Sequence, residues 1–252
     1  MFSIFGFQES MDPASVRQPI ACCVDDSVQS NGDDLYVPDA MPKLFGAAAF
    51  VGSTGLDARI VTPSLRNVGG HYIRPLTLGI IPAAISQDDV DNYKTKTLQG
   101  GEAMNFEINA TTATEVKTGI VWMSDKEITE VYGEITTIKA TFTITSVVGR
   151  WVYGALTLAD DIASGTYSLV GARAVGANLI AVRFKHPNWV QRPGIIAAQS
   201  EAGNDYTNKW RNGKMGVWGT FTNRELPGIE ILASAAAAHT SESVYLDIIK
   251  AS

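Results

Sequence analysis

From Gln99 onward the chain is a close succession of short alternating segments with no stretch that reads as a helix, ending in Val244-Tyr245-Leu246-Asp247-Ile248-Ile249. A strand placed there needs a slot inside a sheet, so the C-terminal segment is expected to be structural. Period-two alternation is plain in three places. Met104, Phe106 and Ile108 alternate with Asn105, Glu107 and Asn109, and Val116, Thr118, Ile120 and Trp122 form a second set. Ile138, Ala140, Phe142 and Ile144 alternate with Lys139, Thr141, Thr143 and Thr145, the pattern of a strand with one face buried and one face wet. Further strands are expected at 151–158, 167–174, 179–185, 215–222, 228–233 and 244–249, which makes eight or nine after Gln99. Turn chemistry separates them: Ser164-Gly165 before Tyr167, Gly176-Ala177-Asn178 before Leu179, Pro227-Gly228 before Ile229. Two facing antiparallel sheets, with both ends of the segment returning to one sheet, solve the edge problem. The expected fold is therefore all-β, an antiparallel jelly-roll β-sandwich over residues 100–252.

Residues 1–99 read differently. Short strand candidates at 20–24, 47–51 and 58–61 are separated by Pro13, Pro19, Pro38, Pro42, Pro63, Pro75 and Pro82. Proline removes a backbone donor and fixes φ, which discourages long helices and central strands. This half is expected to be an extended N-terminal region or arm, or part of a first β domain; a single roll with an arm is favoured over a double jelly roll. A short echo between Arg74-Pro75 with Gly79-Ile80-Ile81 and Arg192-Pro193-Gly194-Ile195-Ile196 is the one hint of duplication.

Composition bounds the partners. The formal charge is −6, and before Pro42 the only basic side chain is Arg17, against seven carboxylates. A basic genome-binding arm is absent, so sequence-specific nucleic-acid binding is not expected. Charged residues make up only 18% of the chain, which suits a surface covered by other subunits. No secretory leader is recognised and no apolar run approaches the roughly 20 residues that span a bilayer, so synthesis and assembly in the cytoplasm are expected.

Chemistry is sparse. Cys22 and Cys23 are adjacent and point to opposite faces of a strand, so neither a mutual bridge nor a metal pair is expected. His71, His186 and His239 lie far apart and read as surface or loop residues. The acid pairs Asp25-Asp26, Asp33-Asp34 and Asp88-Asp89 read as solvated loops. Gly52-Ser53-Thr54-Gly55 has the wrong spacing for a nucleophile elbow, and Gly213, Gly216 and Gly219 do not form a phosphate-binding pattern. Glu107 and Glu230 are the carboxylate pair a sandwich would need for glycoside hydrolysis, with nothing in their spacing to select them. The chain is expected not to be an enzyme, with no catalytic, cofactor or metal site. The long segment from His186 to Lys214, flanked by Trp189 and Trp210, reads as a contact loop. Phe2, Phe5 and Phe7 are the matching apolar contacts in the arm.

The order Gly165-Thr166-Tyr167, Ala181-Val182-Arg183-Phe184, Arg192-Pro193-Gly194, Gly216-Val217-Trp218-Gly219, Ile229-Glu230-Ile231-Leu232-Ala233 and Val244-Tyr245-Leu246-Asp247 resembles the jelly-roll major capsid proteins of tailless icosahedral bacterial and archaeal viruses. The resemblance implies a structural protein of the virion that self-assembles into an icosahedral shell. Its partners would be further copies of itself and other virion proteins, with an internal membrane beneath the shell in many members. The proline-rich first hundred residues depart from a plain second roll. The competing reading is a carbohydrate- or receptor-binding β-sandwich, such as a viral spike or fibre head, with Trp151 and Tyr153 as an aromatic platform.

Overall fold

The computed structural model describes residues 1–31, 34–52, 55–73, 75–77, 87–88, 96–110, 114–198 and 210–251. The chain divides into two compact units. The first comprises Ser3–Glu127 with Val148–Trp151, and the second comprises Met1–Phe2, Ile128–Val147 and Val152–Ser252.

The first unit contains β1 (Phe2–Met11), β2 (Ala14–Ile20), β3 (Ser30–Asn31), β4 (Asp34–Tyr36), β5 (Lys43–Val51), β6 (Gly55–Val61), β7 (His71–Ile73), β8 (Leu76–Thr77), β9 (Gln87–Asp88), β10 (Lys96–Thr97), β11 (Ala103–Ala110) and β12 (Glu115–Ser124). One sheet runs β1-β12-β5-β10, and the other runs through β11, β6 and β7 with β2 and β4 sharing the free edge of β11. Eight of these strands, β1, β2, β5, β6, β7, β10, β11 and β12, pair from the outside inward: first with eighth, second with seventh, third with sixth, fourth with fifth. That is one long hairpin rolled up, which is what a jelly roll is. The two sheets close on a core of Phe7, Ile20, Leu35, Ala47, Ala49, Ile60, Met104, Phe106, Ile108, Val121 and Met123.

The second unit contains β13 (Thr136–Thr145), β14 (Val152–Gly154), β15 (Thr157–Leu158), β16 (Thr166–Val175), β17 (Leu179–Lys185), β18 (Gly194–Ile196), β19 (Gly219–Thr222), β20 (Gly228–Ala233) and β21 (Ala238–Lys250). Its sheets are β15-β13-β21-β16-β19 and β14-β20-β17-β18. With β15 set aside as an added edge, the same inward pairing appears: β13 with β21, β14 with β20, β16 with β19, β17 with β18. The expected C-terminal strand occupies the middle of its sheet, between β13 and β16.

The antiparallel jelly-roll sandwich expected from the alternation is therefore present, and strand order decides between one roll and two. The favoured single roll with an extended arm gives way to two rolls of identical topology. The division falls at Glu127/Ile128, not at 99/100, because β11 and β12 find their partners among residues 14–61. Proline does not prevent this, because it sits where strands stop. Pro13 separates β1 from β2, Pro38 and Pro42 precede β5, and Pro63 opens a 3-10 turn capped by the Thr62 hydroxyl. Pro19 lies inside β2, an edge strand paired only with β11, where a missing donor is tolerated. Arg74, Pro82 and 79–81 of the sequence echo lie outside the described residues.

Candidate functional site

Three of the five residues expected to make contacts are consumed inside the subunit. Phe2 is buried edge-on against Trp218, with ring centroids 5.5 Å apart. Phe7 is buried against Phe106, also at 5.5 Å, and Trp210 has no exposed surface. Phe5 is half-buried on the core of the first roll. The arm reading of these phenylalanines is corrected accordingly: β1 is a sheet strand, and its side chains help close the rolls. Trp189 also retains partial exposure. Its ring lies so close over Gly219 that a Cβ there would stand 2.2 Å away, its Nε1–H donates to the Thr220 carbonyl at 2.8 Å, and it packs on the His186 ring. The polar stretch 199–208 lies outside the described residues.

The Trp151–Tyr153 platform does not form. Trp151 is buried, its Nε1–H donating to Asp26 Oδ2 at 3.0 Å and its backbone N–H to Asp25 Oδ2 at 2.9 Å. Asp26 also accepts the Gly6 N–H at 3.0 Å. Asp26 is thus a buried cap, and Asp25, partly exposed, caps the Trp151 N–H, so the pair is not a solvated loop. Asp33 and Asp89 lie outside the described residues. Tyr153 is exposed and covers Gly228.

The carboxylates that a hydrolase would need are bound to arginine. Glu107 accepts from Arg59 Nε at 2.6 Å and lies 3.8 Å from Arg17, which pairs with Asp57 at 2.6 Å. Tyr72 lies beside both guanidinium groups. The Glu107 hydrogen bond raises the Arg59 pKa against the opposing effect of burial. These residues sit on β2, β11, β6 and β7 and stitch four strands across one face. Because the group is partly exposed, Glu107→Gln is expected to cost no more than about 1 kcal/mol, read as a small fall in the urea midpoint. A loss above about 3 kcal/mol would show the network to be a folding determinant. In the second roll Glu230 binds Arg183, both buried, with Arg192 at 3.7 Å.

Buried polar groups that the sequence did not flag are more numerous. Lys117 is fully buried, its pKa lowered chiefly by that burial, and its Nζ donates to the Asp12 carbonyl at 3.2 Å. Asp247 is fully buried and collects four donors: Arg211 Nε at 2.6 Å and Nη2 at 2.8 Å, the Asn212 N–H at 2.9 Å and the Thr137 hydroxyl at 2.7 Å. Burial pushes its pKa up, but the Arg211 hydrogen bonds and charge, with Asn212 and Thr137, outweigh this and hold it below the usual carboxylate range.

Two of the histidines expected to be surface or loop residues are buried, His186 in the loop after β17 and His239 within β21. His186 is buried beside Glu225, with Nδ1 accepting the Asn188 N–H at 3.2 Å. His239 is buried with Nε2 3.1 Å from Ser146 Oγ and Nδ1 3.6 Å from Glu242 Oε1. The last group has the composition of a nucleophile triad. Ser146, however, is buried and its hydroxyl faces its own chain: Ala235 O at 2.8 Å, Ala237 O at 3.2 Å and Ala237 N–H at 3.1 Å. A substrate carbonyl has no approach to it in this conformation.

Among the described residues, no group of three His, Cys, Asp or Glu side chains is placed to hold a metal ion. What the surface offers is apolar points. Tyr132 is 84% exposed, Val190 83%, and Val16 and Val68 each 71%. Lone side chains of this kind carry no sequence pattern, although Val190 follows the expected contact residue Trp189.

No protein-family model matches the chain, and no curated protein sequence matches it. Among solved structures, the major capsid protein P2 from bacteriophage PM2 aligns over 99% of this chain and 97% of its own, at 8% identity and a TM-score of 0.26. A superposition that loose is weak similarity and carries no argument; the fold assignment rests on strand order.

Proposed function

We propose that this protein is a major capsid protein, a structural and non-enzymatic subunit that self-assembles with further copies of itself into an icosahedral shell. It would be assembled in the host cytoplasm and reside in the virion. The observation that carries the reading is the strand order itself, repeated in two complete jelly rolls within one chain. Fold does not dictate function, so the state of the surface and the polar groups matters. The carboxylates of Asp247, Asp26 and Glu230 end in hydrogen bonds within the subunit. The outward side of β13 presents Thr137, Lys139, Thr143 and Thr145, a face of low charge that another subunit can cover at modest desolvation cost. A symmetric shell uses such faces repeatedly.

Negative-stain electron microscopy of the purified full chain, with sizing chromatography at physiological salt, tests the proposal. Closed particles or uniform capsomers are expected. A monomer or small closed oligomer under every assembly condition would overturn it in favour of a binding module. Val190→Asp is expected to lower particle yield while shifting Tm by no more than about 2 °C, as surface substitutions do. Undiminished assembly of that variant would remove the Trp189–Val190 turn from the interface.

A further inference from the structure

We infer that Ser146, His239 and Glu242 form a proton-operated latch on the loop 234–238 that joins β20 to β21. His239 is the second residue of β21, opposite Ile144 of β13, and the two residues after it bulge out of register, with Ser241 in the left-handed region at φ 58°. The bulge puts Glu242 three residues on beside the same imidazole, its carboxylate packed so closely over Gly176 that a Cβ there would stand 2.9 Å away. Ser146, just beyond the end of β13, reaches the loop from the other side. Its backbone N–H donates to Ala237 O at 2.8 Å, and its hydroxyl oxygen accepts the Ala237 N–H. Among the described residues, Glu242 is the one charged group facing the ring, and Ser146 is the other polar partner.

The hydroxyl has one proton and three acceptors in reach: His239 Nε2, the Ala235 carbonyl, and the more distant Ala237 carbonyl at 3.2 Å, which already holds the Ser146 N–H. With His239 neutral and its proton on Nδ1 toward Glu242, Nε2 is an acceptor, and the Ser146 proton goes to Nε2. The Ala235 carbonyl, 2.8 Å from Oγ, then receives nothing from the hydroxyl. With His239 doubly protonated, Nδ1–H points to Glu242 and Nε2–H donates to Ser146 Oγ. That oxygen accepts from the ring and from Ala237 N–H, and its own proton turns to Ala235 O. No bond other than hydrogen bonds changes, and the added proton comes from solvent. Acid therefore adds a hydrogen bond to the loop, and base removes it.

Nuclear magnetic resonance of the full chain between about pH 8 and pH 5, the interval in which histidines change charge, tests this. The Ala235 carbonyl carbon is expected to shift in step with the His239 ring nitrogens. Amide exchange in the 235–238 loop, corrected for hydroxide catalysis, should slow by about threefold to tenfold on the acid side, the factor one net hydrogen bond contributes. In Ser146→Ala the ring should still titrate while Ala235 no longer follows; in His239→Gln Ala235 should be insensitive to pH. An Ala235 carbonyl that stays constant while His239 titrates in the unmodified protein would overturn the latch. So would a His239 ring that does not change charge across the interval, and neither outcome depends on a variant folding.

Discussion

Asp247→Ala is expected to destabilise the second roll by about 3–5 kcal/mol, the range found when one partner of a buried ion pair is removed. For a chain of this size that is a fall in Tm of roughly 10 °C. The cost arises on the donors' side. Arg211, the Asn212 N–H and the Thr137 hydroxyl all converge on this carboxylate, and without it a guanidinium and a backbone N–H are left in a site with little water. Trp210, next in sequence to Arg211, is fully buried, so the segment 210–212 loses an anchor beside the core. The pH dependence has a definite sign. Because the folded-state pKa lies below the unfolded one, the carboxylate contributes its full stabilisation at and above the ordinary Asp range near about 3.9 and loses it as pH falls through the folded value. The unmodified protein should therefore lose stability over the acid interval below about pH 4 more steeply than Asp247→Asn, which has no proton to take up at that position. Urea denaturation across that interval measures both curves. Parallel curves, or a loss below about 1 kcal/mol for Asp247→Ala, would show that Arg211 finds another partner.

The uneven legibility of the sequence has physical causes that can be read residue by residue. β13 was legible because one of its faces is open: Ala140, Phe142 and Ile144 are buried and Thr143 and Thr145 are exposed, so period two survives. β5 and β17 are buried on both faces, and Ala47–Val51 and Leu179–Phe184 read as apolar runs without alternation. The first roll was hidden for a different reason. Its halves lie far apart in the chain, with β2 paired to β11 across an interval of about ninety residues, and its short strands are separated by prolines, a local pattern that reads as an extended region or arm. Register between distant strands has no local signal. The site residues follow the same logic. Trp210 sits at the end of a polar stretch and looked like a surface anchor, but it is fully buried, and the next two residues bond Asp247 of β21, a partner distant in sequence. His239 and Ser146 are buried by a bulge that no spacing rule announces. Trp189, expected as a contact residue, packs within the chain over Gly219 and beside His186, a pocket built by residues distant in sequence that local patterning does not reveal.

Gly119→Ala is expected to cost about 2–3 kcal/mol although it adds one methyl group to a strand where alanine is otherwise acceptable. Gly119 faces the interior of the first roll from β12, and a Cβ there would stand 2.6 Å from the ring carbons of Phe106 on the opposite sheet. Phe106 cannot turn aside freely, because Phe7 packs on it from β1 and Ile60 of β6 flanks it in register. The spacing between the sheets at this point is therefore set by one glycine and one phenylalanine. This makes a compensation test available. Phe106→Leu alone should leave a cavity and destabilise, whereas the double variant Gly119→Ala with Phe106→Leu should recover about half of the summed loss, since the methyl occupies space the ring vacates. Thermal unfolding of the four proteins closes the cycle. Strict additivity would mean that the two sheets shift apart to accept the methyl, and that the first roll is softer than its packed core implies. Coupling would show that β12 of one sheet and β11 of the other are held at a fixed separation by this contact, as a closely packed sandwich interior requires.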